Sequence, residues 1–141
     1  MPAVWVMIPV FVQVALTFYL LIAMGRARMA TVRRNEVRLR DFTHGGDIWP
    51  DSVKPVTNSY HNQFQLPVLF YAAVLFAIAL GTVSTVFVVL AWLFVASCIV
   101  HAIVYIRFND VVRRFRSFIA GLGILMAMWV LLAFEILARR S

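Results

Sequence analysis

The chain is 141 residues long, 63% hydrophobic and only 13% charged, with a mean hydropathy of +0.89. That balance excludes an ordinary soluble domain, which carries about 25% charged residues, and the apolar residues come in long runs rather than stripes. A formal charge of +7 would suggest nucleic acid in a soluble protein; here the basic residues flank apolar runs, so no nucleic-acid partner is expected and their first role is orientation.

A single all-α domain over residues 1–141 is therefore expected, a bundle of four transmembrane helices. The first span covers about 4–25, long enough to cross roughly 30 Å of hydrocarbon. No basic residue precedes it and it exceeds a typical signal core, so a retained span is expected rather than a cleaved signal. Gln13 and Thr17 share one of its faces at i, i+4, the pattern of hydrogen bonding between helices. A basic polar loop over 26–57 follows; its opening stretch, RARMATVRRNEVRLR, could extend the helix beyond the membrane, and Gly45-Gly46 and Pro50 break what remains.

The second span covers about 60–80 and opens on an unusual run, NSYHNQFQLPVLFY, from Asn58 to Tyr71. On one continuous helix Asn58, Asn62 and Gln65 fall at i, i+4 and i+7, an amide stripe at the mouth of an apolar segment. Pro67 cannot donate a backbone hydrogen bond and crowds the carbonyl of Gln63, which predicts a bend with a freed acceptor. The turn around Gly81 to Ser84 is too short for anything but an antiparallel hairpin into a third span, about 83–105, and a short basic link leads to the fourth, about 115–138. Glu135 and Arg139 are spaced for an i, i+4 ion pair. The single Cys98 lies inside an apolar run, as a buried structural thiol does.

Of the 13 Lys and Arg, seven lie between spans one and two and four between spans three and four. The positive-inside rule places those loops in the cytoplasm and both termini on the non-cytoplasmic side. Small loops point to a bacterial cell (inner) membrane. At the cytoplasmic boundary the amide stripe meets His101, Tyr105 and Arg107 of span three and Arg113, Arg114 and Arg116 of span four.

Ser97, His101 and Tyr105 repeat every four residues, so a second polar stripe can face the first. A pocket between them would offer amide, imidazole, phenol and guanidinium groups, which suit a small polar anion. A purely structural reading stands beside it, with Tyr105 and the arginines as interfacial anchors and the amides as interhelical glue. A lone His near a helix end is more often a structural donor than a base. His44, Asp47, Asp51 and His61 match no metal spacing, and no metal is assigned. Small four-helix exporters need a carboxylate deep in the membrane; none lies at mid-span here.

Four short spans, a long basic loop after the first, and NQFQLP opening the second resemble the MAPEG family, membrane-associated proteins in eicosanoid and glutathione metabolism. Asn62, Gln65 and Pro67 stand where the family has Asn-x-x-Glu shortly before Pro, and Tyr105 and Arg116 match its Tyr and Arg eleven residues apart. The resemblance implies a homotrimer that binds glutathione between subunits near the cytoplasmic side. It implies a transferase or peroxidase acting on a lipophilic small molecule that arrives through membrane lipid. In that reading Arg116 is the catalytic residue that stabilises the thiolate, with Arg113 as its substitute, while Asn62, Gln65, Tyr105, His101 and Asn58 hold the ligand. The chain departs from the family pattern with Asn58 for Arg, Gln65 for Glu and Asn109 for Tyr. Those departures imply the alternative, a non-catalytic oligomeric membrane subunit or small-ligand binder on the same fold.

Overall fold

The computed structural model describes residues 2–44, 48–108 and 110–140, without the His44 side chain. Gly45-Gly46, expected to break the loop, and Asp47 and Asn109 lie outside the described residues. Among the described residues the regular elements are helical: α1 (Val4–Arg33), a 3-10 turn (Leu39–His44), α2 (Lys54–Asn62), α3 (Leu66–Ala79), α4 (Thr85–Arg107) and α5 (Val111–Ala138). Four stretches, with α2 and α3 counted together, are long and apolar enough to cross a membrane. Large apolar side chains such as Phe11, Phe18, Leu75 and Phe134 point outward. An outward apolar face needs lipid around it, and the protein is an integral, multi-pass membrane protein.

The helices run further toward the basic end than hydropathy alone indicates. α1 continues through the basic stretch to Arg33, about 45 Å in all, so its last turns outrun the hydrocarbon layer. α5 starts at Val111, not 115, because Asp110 caps it: the carboxylate accepts from the backbone N–H of Val112 at 3.0 Å and of Arg113 at 3.4 Å. α2 starts at Lys54 with Pro55 in its first turn, and the Lys54 ammonium, 2.8 Å from Asp51, holds that carboxyl below its usual range.

At the opposite end α3 closes in a Schellman motif. Thr82 N–H reaches Ala77 O at 2.8 Å, Gly81 N–H reaches Ile78 O at 3.1 Å, and Gly81 takes the left-handed φ of 63° that this cap requires. The expected Glu135–Arg139 pair is replaced by a longer-range contact. The Arg139 guanidinium donates to Leu80 O at 2.9 Å and Gly81 O at 2.7 Å, since these carbonyls have no further turn of helix to bond. The C-terminal end of α5 is thereby tied to the α3–α4 turn.

The apolar core lies in this half, where Phe70 stacks on Phe94 at 4.8 Å and Val6, Ala77, Phe87, Met128 and Leu132 fill in around them. α4 is the central helix: it packs most extensively on α5 and also touches α1 and α2.

The predicted bend in span two is a complete break. Asn62 ends α2, Leu66 starts α3, and Gln63, Phe64 and Gln65 are held by i to i−3 bonds to Tyr60, His61 and Asn62 at 3.0 to 3.2 Å. Pro67 is the physical reason, because its ring excludes the i−4 carbonyl and it has no N–H to continue the ladder. The expected single amide stripe is divided accordingly: Asn58 and Asn62 stay on α2, while Gln65 falls in the break with φ of −100° and ψ of −105°.

Candidate functional site

Two hydrogen bonds join α2 to α4: Asn58 Nδ2 donates to the Tyr105 hydroxyl and Asn62 Nδ2 to His101 Nε2, both at 3.3 Å. The spacing explains the register, since 58 and 62 on one helix and 105 and 101 on the other are each one turn apart on antiparallel partners. His101 also reaches α5, with Nδ1 2.7 Å from Ser117 Oγ, and Ser117 Oγ in turn lies 3.0 Å from Arg114 O.

The chain of contacts has a direction. A carbonyl only accepts, so the single Ser117 proton points at Arg114 O and its oxygen must accept from His101. His101 then carries its proton on Nδ1, leaving Nε2 free to accept from the Asn62 amide. A neutral imidazole of one tautomer satisfies every group, and a second ring proton would face the Asn62 N–H. Around this relay the His101 ring meets Tyr105 edge-on at 5.8 Å, and the Arg114 guanidinium lies 4.5 Å over the Tyr105 ring, within cation–π range.

Below the relay the α2–α3 break leaves a small, half-open cleft against α4 and α5. Asn62, Gln63 and Gln65 form its polar wall, Ser97, His101 and Ser117 the facing one, and Pro67, Phe94, Cys98 and Phe118 its apolar floor. Gly121 lets α5 approach α4 closely within the facing wall: a Cβ there would come within 2.9 Å of Ser97 Oγ.

On the far side of α2 lies a second polar contact. Gln13, fully buried on α1, donates from Nε2 to Gln63 Oε1 at 2.7 Å, and Gln63 Nε2 donates to Ser59 O at 3.3 Å. Thr17, expected with Gln13 to bond across helices, donates to Gln13 O of its own helix at 3.2 Å and also hydrogen-bonds the Tyr71 side chain of α3.

Asn58, Asn62, Gln65, His101 and Tyr105 are thus gathered on one flank of the bundle, with Asn62, Gln65 and His101 lining the cleft itself. Arg113 sits at the rim, 3.4 Å from Asp110 and with its guanidinium 5.2 Å from the Phe108 ring. Arg116 is exposed and is not part of this cleft. At 100° per residue it lies about 200° around α5 from Arg114, whereas Ser117, Phe118 and Gly121 share the Arg114 face. Two residues at the heart of the site escaped the sequence reading, namely Gln63 and Ser117, and the sequence places Arg114 at the cytoplasmic boundary without a role of its own. Ser117 and Arg114 carried a usable signal, because Arg114, Ser117 and Gly121 fall at i, i+3 and i+7, and small or hydroxylic residues mark close helix contacts in membranes.

Fold and site together define a four-span α-helical membrane protein with a polar-walled cleft beside its basic end. The family model of the MAPEG family matches residues 6–134, and the chain belongs to that family. Comparison with curated proteins and with solved structures gave no match.

Proposed function

We propose that the protein is a thiol-dependent transferase or peroxidase, with glutathione as co-substrate, acting on lipophilic electrophiles as a homotrimer in the membrane. The observation that carries this reading is the cleft: amide, hydroxyl and imidazole groups form its walls and apolar residues its floor, with Arg107, Arg113 and Arg114 on the α4 and α5 ends beside it. Asn62 and Gln65 suit the peptide groups of a tripeptide, and the basic rim suits its carboxylates. The apolar floor accepts the lipid chain, which reaches it laterally from the bilayer.

In the transfer step the thiol loses its proton to solvent at the basic end, and the sulfur forms a bond to the electrophilic carbon. The leaving group or carbanion takes up a proton in return. A guanidinium near the sulfur favours the thiolate. Arg116 faces away from the cleft of its own subunit, so in a trimer it would serve the cleft of a neighbour, which makes the oligomer necessary for catalysis. The basic end faces the cytoplasm by its charge.

The outward Arg116, together with the neutral Asn58 and Gln65, also favours a second reading, a trimeric ligand-binding subunit without turnover. Thermal stabilisation of the detergent-purified protein by glutathione tests both. Saturable stabilisation lost in Asn62→Ala supports the site. Thiol transfer lost in Arg116→Ala with binding retained supports the enzyme, and undiminished transfer in that variant would remove the catalytic assignment.

A further inference from the structure

The cleft carries no acid. Among the described residues none of its lining side chains is Asp or Glu, and the carboxylates nearby are already committed. Glu36 lies 3.4 Å from Arg34, Asp41 accepts from Arg38 N–H at 3.4 Å, Asp51 lies 2.8 Å from Lys54, and Asp110 caps α5 while pairing with Arg113. Glu135 is 18 residues beyond Ser117 on α5, about 27 Å away along the helix. Asp47 lies outside the described residues, and the other acids that a second copy of the chain would bring are these same five.

The cationic groups are arranged the opposite way. Arg114 stands one turn from Ser117 over the Tyr105 ring, Arg113 is at the rim and Arg107 ends α4. A ligand carboxylate finds complementary charge here, and a ligand amide finds Asn62, Gln65 and the hydroxyls. A ligand ammonium finds neutral acceptors only, in a positive field and partly out of water, which is unfavourable for a charged donor.

We propose that the thiol bound in this cleft is an anionic amide thiol without a free amine, one whose amino group is absent or acylated. This rests on the thiol-dependent reading above and narrows its substrate class: glutathione is accepted through its amides and carboxylates and penalised at its γ-glutamyl ammonium. The positions that set the preference are Gln65 at the break and Asn62 beside it, where a carboxamide stands and a carboxylate would fit with little change of volume.

Calorimetric titration of the detergent-purified wild-type protein with glutathione and with its des-amino analogue, glutaryl-cysteinyl-glycine, tests this directly. The analogue keeps the thiol, both carboxylates and both amides. It is expected to bind tighter by about tenfold or more, the size of an uncompensated charged donor. In Gln65→Glu the preference should fall to parity or reverse, because the ammonium then gains a partner. Equal or tighter binding of glutathione by the wild type overturns the inference and leaves the thiol-dependent function standing. A ratio unmoved by Gln65→Glu overturns the assignment to this wall. No saturation by either compound at millimolar concentration overturns the proposed function, and the inference with it.

Discussion

Replacing Ser117 by Ala tests the relay that joins α2, α4 and α5. The hydroxyl is the acceptor for His101 Nδ1–H at 2.7 Å, and the methyl that remains cannot replace it. An unsatisfied buried donor costs about 1–3 kcal/mol. His101 is only half-buried, so the lower part of that range applies, about 1–1.5 kcal/mol. The bond from Ser117 to Arg114 O contributes little of this, since that carbonyl also lies within a helix. His101→Phe removes the donor itself, so the double variant His101→Phe/Ser117→Ala should cost less than the sum of the singles, with a coupling of about 0.5–1 kcal/mol. Denaturant unfolding in one detergent gives the three stabilities. Independently, 15N spectra of His-labelled protein, with the His101 signal identified by its loss in His101→Phe, should show a protonated Nδ1 and an unprotonated Nε2. A protonated Nε2, or a Ser117→Ala cost within about 0.3 kcal/mol of zero, would refute the relay as drawn.

Other contacts give equally definite expectations. Gln63→Leu strands the fully buried Gln13, whose Oε1 already has no partner among the described residues, and should destabilise by about 2–3 kcal/mol; Gln13→Leu/Gln63→Leu should recover most of it in the same unfolding assay. Gly121→Ala places a Cβ 2.9 Å from Ser97 Oγ, so either Ser97 gives up its 2.6 Å bond to Phe94 O or α5 shifts; about 1–2 kcal/mol of stability and part of the cleft should be lost, read as weaker ligand-induced stabilisation. Gly81→Ala forces a side chain to φ of 63° and should cost about 1–2 kcal/mol, whereas Arg139→Ala, at an exposed site, should cost under about 1 kcal/mol yet speed amide exchange at Gly81 and Thr82.

How far the sequence was informative depends on the range of the interaction. Hydropathy runs are local, and they located all four spans; the caps at Asp110 and the Pro55 start, also local, explain why the helices outrun those spans at the basic end. The stripes Asn58/Asn62 and Ser97/His101/Tyr105 were legible because helical spacing converts sequence into a face. Which residues would meet, and across which third helix, was not: the partner of Gln63 is 50 residues away, and adjacent amides looked alike until α1 and α4 took one each. Pro67 announced a defect but not its size, because Gln63 to Gln65 could have continued the helix with one lost bond or stepped out of it, and local i to i−3 bonds made the second course affordable. The spacing between Tyr105 and Arg116 fixed a distance along the chain and said nothing of side, which is why Arg114 rather than Arg116 lies over the Tyr105 ring.

The position of the cleft follows from the same defect. A break in a transmembrane helix exposes backbone polar groups that lipid cannot satisfy, so it survives only beside protein groups or water. Here two consecutive residues where α2 ends are fixed in opposite directions: Gln63 is held by Gln13 of α1, and Asn62 by His101 of α4, which is itself held by Ser117 of α5. α2 is therefore clamped between two helices where the helix is interrupted. Pro67 and Gln65 lie just past the clamp and line the cleft. The polar groups needed to make the break tolerable and those available to a ligand are the same amides and imidazole. A substitution that heals the break, such as Pro67→Ala, should for that reason close the cleft while raising the helix content read by circular dichroism.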